Sequence, residues 1–138
     1  MNSIFNDMRR MHDKYGVHAA IDKMDKRTLE KFLWFRLSCI EEELTETQEA
    51  LFNKDPAEIV DGLIDIIVFA AGTLDLFDVD GEEAWFQVLQ ANMTKEVGIK
   101  EGRPNPMGLP DLMKPEGWKG PDHEENTGKL KRLPRVEV

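Results

Sequence analysis

The sequence has few of the residues that mark several common classes of protein. It has one cysteine, Cys39, which excludes an internal disulfide. Its longest strongly apolar stretch, residues 64–74, is interrupted by Gly72 and is shorter than the roughly 20 residues that cross a membrane. The N-terminal residues also lack the apolar run of a signal peptide. We therefore expect a cytoplasmic protein that does not bind membranes.

Basic residues are also scarce. The chain of 138 residues has 18 Lys and Arg against 27 Asp and Glu, which gives a net charge of -9. Such a chain is repelled by the phosphates of nucleic acids and by anionic lipids, so we expect no nucleic-acid partner. An anionic ligand would need a metal ion or a local basic cluster.

Proline and glycine are unevenly distributed along the chain. Six of the seven prolines lie between Pro104 and Pro134, and six of the ten glycines lie at Gly98 or later. Because proline interrupts both helices and sheets, this pattern predicts a regular body at residues 1–97 and an irregular tail at residues 98–138. The apolar residues of the tail, above all Trp118, predict that it packs on the body.

Apolar residues repeat at helical spacing through the body, which predicts an all-α fold. The pattern Asp55, Pro56 and Glu58 is typical of a helix N-terminus, because it supplies a cap, a first-turn proline and an acidic third residue. The predicted helices cover residues 4–14, 18–24, 28–52, 56–77 and 82–96.

The two long helices differ in their apolar faces. The helix at 28–52 has one aliphatic stripe, which predicts a core face: Leu29, Leu33, Leu37, Ile40, Leu44 and Leu51. The helix at 56–77 is apolar nearly all round, which predicts that other helices surround it. One chain has few helices to do so, and we therefore expect a homodimer or homotetramer. Within this helix we expect Gly62 to allow a close approach.

Carboxylates are concentrated on these same two helices. Between Glu41 and Asp65 there are nine carboxylates and a single basic residue, Lys54. Carboxylates spaced by three or four residues share a helix face, and ligand sets made only of oxygen suit Mg²⁺ or Mn²⁺. We therefore predict a site for Mg²⁺, with Mn²⁺ as the alternative ion. Its candidate ligands are Glu43, Glu46, Glu58, Asp61 and Asp65.

Asp65 is the strongest of these candidates, because its aliphatic neighbours predict a buried position where an unpaired charge is costly. The carboxylates of Glu41, Glu42 and Glu49 can also be explained as a solvated helix face. The three histidines are not clustered along the sequence, and we expect surface positions for them.

Two acidic motifs resemble those of a known family. Residues 42–46 (EELTE) and 58–61 (EIVD) are similar to the EExxE and ExxD pair of the all-α nucleoside triphosphate pyrophosphatases. Residues 92–95 (NMTK) and 114–118 (KPEGW) resemble the small MazG-like enzymes often found in bacteriophages. The resemblance implies a MazG-like helical bundle built by oligomerisation, with a long irregular C-terminal tail.

The second motif departs from the family pattern. In much of the family an aliphatic run follows the motif directly, and here that run follows Asp65 rather than Asp61. The second helix therefore contributes either Glu58 with Asp61 or Asp61 with Asp65.

The resemblance implies Mg²⁺-dependent hydrolysis of a (deoxy)nucleoside triphosphate to the monophosphate and pyrophosphate. The candidate substrates are a purine nucleotide, such as dGTP, and, as the alternative, dCTP. The enzyme would act in the cytoplasm, which is the host cytoplasm if the chain is phage-encoded. Glu42 or Glu46 would orient or deprotonate the attacking water. Phosphates need positive side chains and a base needs an aromatic one. The candidates for substrate binding are Phe35, Arg36, Asn92, Lys95, Lys114 and Trp118.

The alternative is a non-enzymatic acidic protein, either a helical interaction module or a DNA mimic. Such a protein needs carboxylates spread over an exposed surface. Here Asp61 and Asp65 lie within an aliphatic helix, which favours the enzyme.

Overall fold

The computed structural model describes residues 3–135 and confirms the all-α fold. Strands β1 (Glu96–Gly98) and β2 (Asp111–Met113) form the one small sheet within these residues. No helix in this part of the chain is long and apolar enough to cross a membrane. The helices are α1 (Ile4–Tyr15), α2 (Val17–Asp22), α3 (Lys26–Phe52), α4 (Pro56–Leu76) and α5 (Gly81–Met93).

Local sequence explains where the helices begin and end. The side chain of Asp25 accepts a hydrogen bond from the Thr28 amide at the start of α3. Asp55 caps α4 in the same way, and Pro56 occupies its first turn, as predicted. Gly16 ends α1 with a φ of 67°, a left-handed conformation that glycine adopts without steric cost.

The chain divides into two compact units. One unit comprises the residues up to Gly81 together with those from Thr127 onward, and the other comprises Glu82–Asn126. These limits differ from the boundary at residue 97 that proline and glycine content predicts. That residues 1–97 form the functional body of the protein stays a prediction.

In the first unit, α1, α2 and α3 all pack on α4. The helices α3 and α4 come close together at Gly62, where an added Cβ would collide with the side chain of Thr47. This contact confirms the expectation that Gly62 allows a neighbouring helix to come close. It also sets the spacing of the two helices that carry most of the carboxylates.

The face of α3 that packs on α4 is not the predicted leucine stripe. Leu29 is buried, but Leu37, Leu44 and Leu51 of that stripe are exposed. The buried positions farther along α3 are instead Thr47 and Ala50. Small side chains occupy this face because α4 comes too close for leucine.

Among residues 3–135, the helices of one chain do not surround α4 on every side. Ile64 is 52% exposed and Ile67 is 44% exposed, although both lie in the most apolar part of α4. Asp65 between them is half-buried rather than buried. Within the described residues, one side of α4 lacks a covering helix.

Part of the predicted tail packs on the helices of the first unit. A 3₁₀ helix at Gly128–Arg132 places Lys129 between two carboxylates, with Nζ 2.6 Å from Asp22 and 2.7 Å from Asp78. The backbone amide of Lys129 also donates to the Phe77 carbonyl at 2.6 Å. Residues 127–135 therefore belong to the first unit.

The second unit contains most of α5 and the two short strands. Strand β1 pairs with β2 in antiparallel register, with Val97 opposite Leu112. The segments around the strands are irregular, as their proline and glycine content predicts. Trp118 fixes residues 115–120 to α5, because its Nε1 donates to the Ala91 carbonyl at 2.9 Å.

Candidate active site

The carboxylates of α3 and α4 converge at Glu43. Partial burial raises the pKa of this side chain. The negative charges of Glu46 and Asp65 raise the pKa further, and the charge of Glu42 and a hydrogen bond to Glu46 add to the effect. Glu43 therefore lies close enough to Glu46 and to Asp65 for their negative charges to act on it.

The close packing of the two helices produces this convergence. Thr47 lies one turn beyond Glu43 on α3, and its hydroxyl donates to the Glu43 carbonyl at 2.7 Å. Gly62, against which Thr47 packs, lies one turn before Asp65 on α4. The same contact therefore places Glu43 of α3 and Asp65 of α4 at a similar height along the helix pair.

A second group of carboxylates lies nearer the turn between α3 and α4. A cavity of about 370 Å³ is lined there by Glu46, Glu49, Asp55 and Glu58, among others. Glu46 thus belongs to both groups, with Asp65 on one side and Glu58 on the other. Asp61 is exposed on α4, and the choice between Glu58 with Asp61 and Asp61 with Asp65 stays open.

The donor set suits a hard divalent cation. Its members offer only carboxylate oxygens, which are the ligands that Mg²⁺ and Mn²⁺ prefer. Within residues 3–135, no salt bridge neutralises Glu43, Glu46 or Asp65. A divalent cation would relieve the repulsion that raises the pKa of Glu43.

Arg36 lies on α3 two turns before Glu43 and faces α4. Its Nε donates to the Thr73 hydroxyl at 2.9 Å, and a terminal nitrogen donates to the Phe69 carbonyl at 3.2 Å. Burial lowers the pKa of this guanidinium. The contacts link α3 to α4, and a role in substrate binding stays a prediction. The neighbouring Phe35 is 61% exposed.

The second unit brings together three of the predicted substrate-binding residues. The ammonium groups of Lys95 and Lys114 lie 5.1 Å and 5.3 Å from the centre of the Trp118 ring, within the range of cation–π attraction. A cavity of about 640 Å³ lies between the end of α5 and residues 115–120. Asn92 is half-buried on α5.

The expectation of scattered surface histidines is wrong for two of the three. His12 is buried, and both His12 and His18 hydrogen bond to the carboxylate of Asp75. The helices α1 and α2 bring the two rings to α4 from positions distant in sequence. The one signal that sequence reasoning overlooked is Asp75 itself, an acidic residue in an otherwise apolar part of α4.

A family profile matches the segment that contains the convergent carboxylates. The profile of phosphoribosyl-ATP pyrophosphohydrolase matches residues 17–92, which is more than half of the chain. The chain belongs to this family. The phosphoribosyl-ATP pyrophosphohydrolase family is related to the MazG-like enzymes, and its activity is hydrolysis of a phosphoric anhydride.

The match to the phosphoribosyl-ATP pyrophosphohydrolase family covers α2, α3, α4 and most of α5. It includes every predicted metal ligand, together with Phe35, Arg36 and Asn92. It ends before Lys95, Lys114 and Trp118. No match is found among curated proteins.

Proposed function

We propose that this protein is a Mg²⁺-dependent pyrophosphohydrolase that converts a nucleoside triphosphate and water to the monophosphate and pyrophosphate. The observation that carries the proposal is that Glu46 of α3 and Asp65 of α4 both lie close enough to Glu43 to raise its pKa, inside the segment that matches the family. The proposed substrates are deoxynucleoside triphosphates. The candidates are a purine nucleotide, such as dGTP, and, as the alternative, dCTP.

In the proposed site, Glu43, Glu46 and Asp65 hold the cation, with Asp61 and Glu58 as the further ligands from α4. A bound divalent ion supplies charge neutralisation to the triphosphate and acidity to a coordinated water. Glu42 and Glu46 are the groups we propose for orienting the water and accepting its proton. Glu42 suits this role because it is exposed and close enough to Glu43 to affect the pKa of that residue.

Positive side chains are needed as well, because a carboxylate cluster repels a bare triphosphate. We propose Lys95 and Lys114 for contacts to phosphate oxygens, with Asn92 as a neutral donor and Trp118 or Phe35 as a surface for the base. Arg36 is the remaining candidate. Because its donors are used between helices, we propose that it positions α3 rather than contacts substrate.

A second candidate substrate is phosphoribosyl-ATP, which the name of the matched family favours. Both kinds of substrate present a triphosphate to the same carboxylates, and they differ in the base and in the phosphoribosyl group that only phosphoribosyl-ATP carries. The resemblance of residues 92–95 and 114–118 to small phage MazG-like enzymes favours the simple triphosphate.

The deciding experiment is a screen of the purified full chain for pyrophosphate release from the eight common nucleoside triphosphates and phosphoribosyl-ATP, with Mg²⁺, Mn²⁺ or a chelator. We expect release that requires the divalent ion. The variants Glu46→Gln and Asp61→Asn should abolish it while helix content by circular dichroism stays unchanged.

Glu30→Gln is the matched control, because Glu30 is an exposed carboxylate of α3 outside the cluster. It should keep full activity. Full activity in Asp61→Asn and Glu46→Gln would contradict the ligand assignment. Absence of pyrophosphate from every substrate would favour the non-enzymatic acidic interaction protein or DNA mimic.

We also propose that the functional form is a homodimer or homotetramer in which a second copy covers the exposed side of α4. The exposed aliphatic residues Leu63, Ile64 and Ile67 support this, because they lie beside the proposed ligands Asp61 and Asp65. Light scattering at micromolar concentration tests it. A monomer of about the chain mass, 15.9 kDa, would contradict it, and Ile64→Lys should dissociate the oligomer.

A further inference from the structure

A cluster outside the carboxylate site brings two imidazoles and a carboxylate together. Asp75 is a buried residue of α4. Its Oδ2 lies 2.7 Å from His12 Nδ1 and 2.9 Å from His18 Nε2. Each of the three residues thus offers one ligand atom, and the three atoms lie within 4.8 Å of one another. The cluster ties α1 and α2 to α4.

Hydrogen bonding alone leaves one atom of this cluster unexplained. An ionised carboxylate only accepts, so both rings donate an N–H to Asp75. In a neutral His18 the other nitrogen, Nδ1, then carries a bare lone pair. That nitrogen is buried without a hydrogen bond among the described residues, and Asp78 Oδ1 lies 3.8 Å from it. A lone pair facing a carboxylate is unfavourable, and the position calls for positive charge.

We propose that His12, His18 and Asp75 bind a divalent transition-metal ion, with Zn²⁺ as the best match to the ligands. Two imidazoles and one carboxylate are a common zinc ligand set, and three protein ligands leave a fourth position for water. The ion takes the place of the two protons that now face Asp75, and in each neutral ring that proton moves to the other ring nitrogen. Ligand atoms around tetrahedral zinc are about 3.3 Å apart, so the two distances from Asp75 Oδ2 to the imidazole nitrogens would each lengthen by about 0.5 Å.

The groups around the cluster have the positions of supporting residues in a metal site. Arg9 Nε lies 2.8 Å from Asp75 Oδ1, which leaves Oδ2 directed at the two rings. With Nε2 of His18 on the metal, the single proton of the neutral ring resides on Nδ1 and faces Asp78. A carboxylate beside the outer nitrogen of a ligating histidine is the usual arrangement, since it fixes the tautomer.

This site differs in chemistry from the carboxylate site between α3 and α4. Mg²⁺ prefers oxygen ligands, whereas imidazole nitrogen selects zinc, cobalt or nickel. The proposed zinc site does not rest on the proposed activity. His12 lies before the segment that matches the family profile, residues 17–92, while His18 and Asp75 lie within it.

Cobalt(II) is a suitable spectroscopic probe, because its visible absorption is strong in a four-coordinate nitrogen site and weak in an octahedral oxygen site. The full chain, stripped with chelator, is titrated with Co²⁺ and then with Zn²⁺. We expect one intense Co²⁺ band per chain that Zn²⁺ displaces and excess Mg²⁺ does not. His18→Gln should lose the band and weaken Zn²⁺ binding by about tenfold or more.

Two matched controls separate this site from others. His123→Gln removes a histidine from the second unit and should leave the band unchanged. Glu46→Gln alters the carboxylate site and should also keep it. If His18→Gln binds Co²⁺ and Zn²⁺ as the unaltered chain does, the proposal is wrong.

A measurement on the unaltered chain covers the case in which His18→Gln does not fold. Long-range ¹H–¹⁵N spectra report the state of each ring nitrogen, and His123→Gln identifies the third histidine. One equivalent of Zn²⁺ should shift His12 Nδ1 and His18 Nε2 and leave His123 in place. If His18 is instead doubly protonated and does not respond to Zn²⁺, a proton supplies the charge and the proposal is overturned.

Discussion

The contact between Gly62 and Thr47 predicts that Gly62→Ala destabilises the protein, although helices usually prefer alanine to glycine. In an open helix, alanine is more favourable than glycine by about 1 kcal/mol. Here the new Cβ would collide with the Thr47 hydroxyl and lie 3.1 Å from its Cβ. Overpacking of this kind costs about 1–3 kcal/mol, so we expect a net loss of about 1 kcal/mol.

Thr47→Ala removes the colliding hydroxyl, and the double variant therefore isolates the contact. The single Thr47→Ala change should cost little, because its hydroxyl donates only to the Glu43 carbonyl of its own helix. In the Thr47→Ala background, Gly62→Ala should cost less than in the unaltered chain. We expect a coupling free energy of about 1–2 kcal/mol between the two positions.

Urea unfolding of the four proteins without divalent ions, followed by circular dichroism, measures this coupling. Ala70→Gly, at an exposed position of α4, gives the helix preference for alanine at a site away from Thr47. Free energies of unfolding that add within about 0.5 kcal/mol would refute the close contact. Gly62→Ala should also weaken Mg²⁺ binding, because it separates Glu43 from Asp65.

Three further predictions follow from other contacts. Lys129→Met should lower the free energy of unfolding by about 2 kcal/mol, less than for a fully buried pair, because Asp22 and Asp78 are partly exposed. An unchanged urea midpoint would contradict this. Because the pKa of Glu43 is raised, ionisation of this one side chain costs the metal-free protein stability as pH rises above about the ordinary value of 4.5. Glu43→Gln should therefore be more stable than the unaltered chain at pH 7 but not at pH 3. An equal difference in the free energy of unfolding at both pH values would contradict this prediction. Trp118→Phe removes the bond from Nε1 to the Ala91 carbonyl at a cost of about 1 kcal/mol. It should speed proteolysis of residues 99–110, and an unchanged rate would show that residues 115–120 are held in other ways.

The helices could be predicted from sequence because their signals are local. Asp55 and Pro56 begin α4, and Gly16 ends α1, through contacts with residues a few positions away. The family resemblance was equally accessible, since the acidic motifs lie within single helices. Each of these features is specified by a short stretch of chain.

The buried face of α3 could not be predicted in this way. Periodicity identifies an apolar stripe but not the partner that covers it, and the leucine stripe of α3 is partly exposed in the single chain. The surface of α3 that α4 covers is the one on which the two helices can approach closely, and Gly62 and Thr47 allow that approach. Such a fit depends on two helices at once.

The histidine cluster was missed for a related reason. His12 and His18 lie 63 and 57 residues from Asp75 in sequence, so no spacing rule joins them. They meet because α1 and α2 both pack on α4. Only the unusual position of Asp75 in an apolar helix could have drawn attention to this part of the chain.

The hydrogen bond from the Lys129 amide to the Phe77 carbonyl has a consequence for how the chain can change in length. It connects the part of the first unit that precedes residues 82–126 with the part that follows them. The free energy of closing a chain segment rises slowly with its length, by about 0.6 kcal/mol for each doubling. Insertions and deletions within residues 82–126 therefore leave the helices α1 to α4 intact at small cost. Differences in length among relatives should concentrate in this segment.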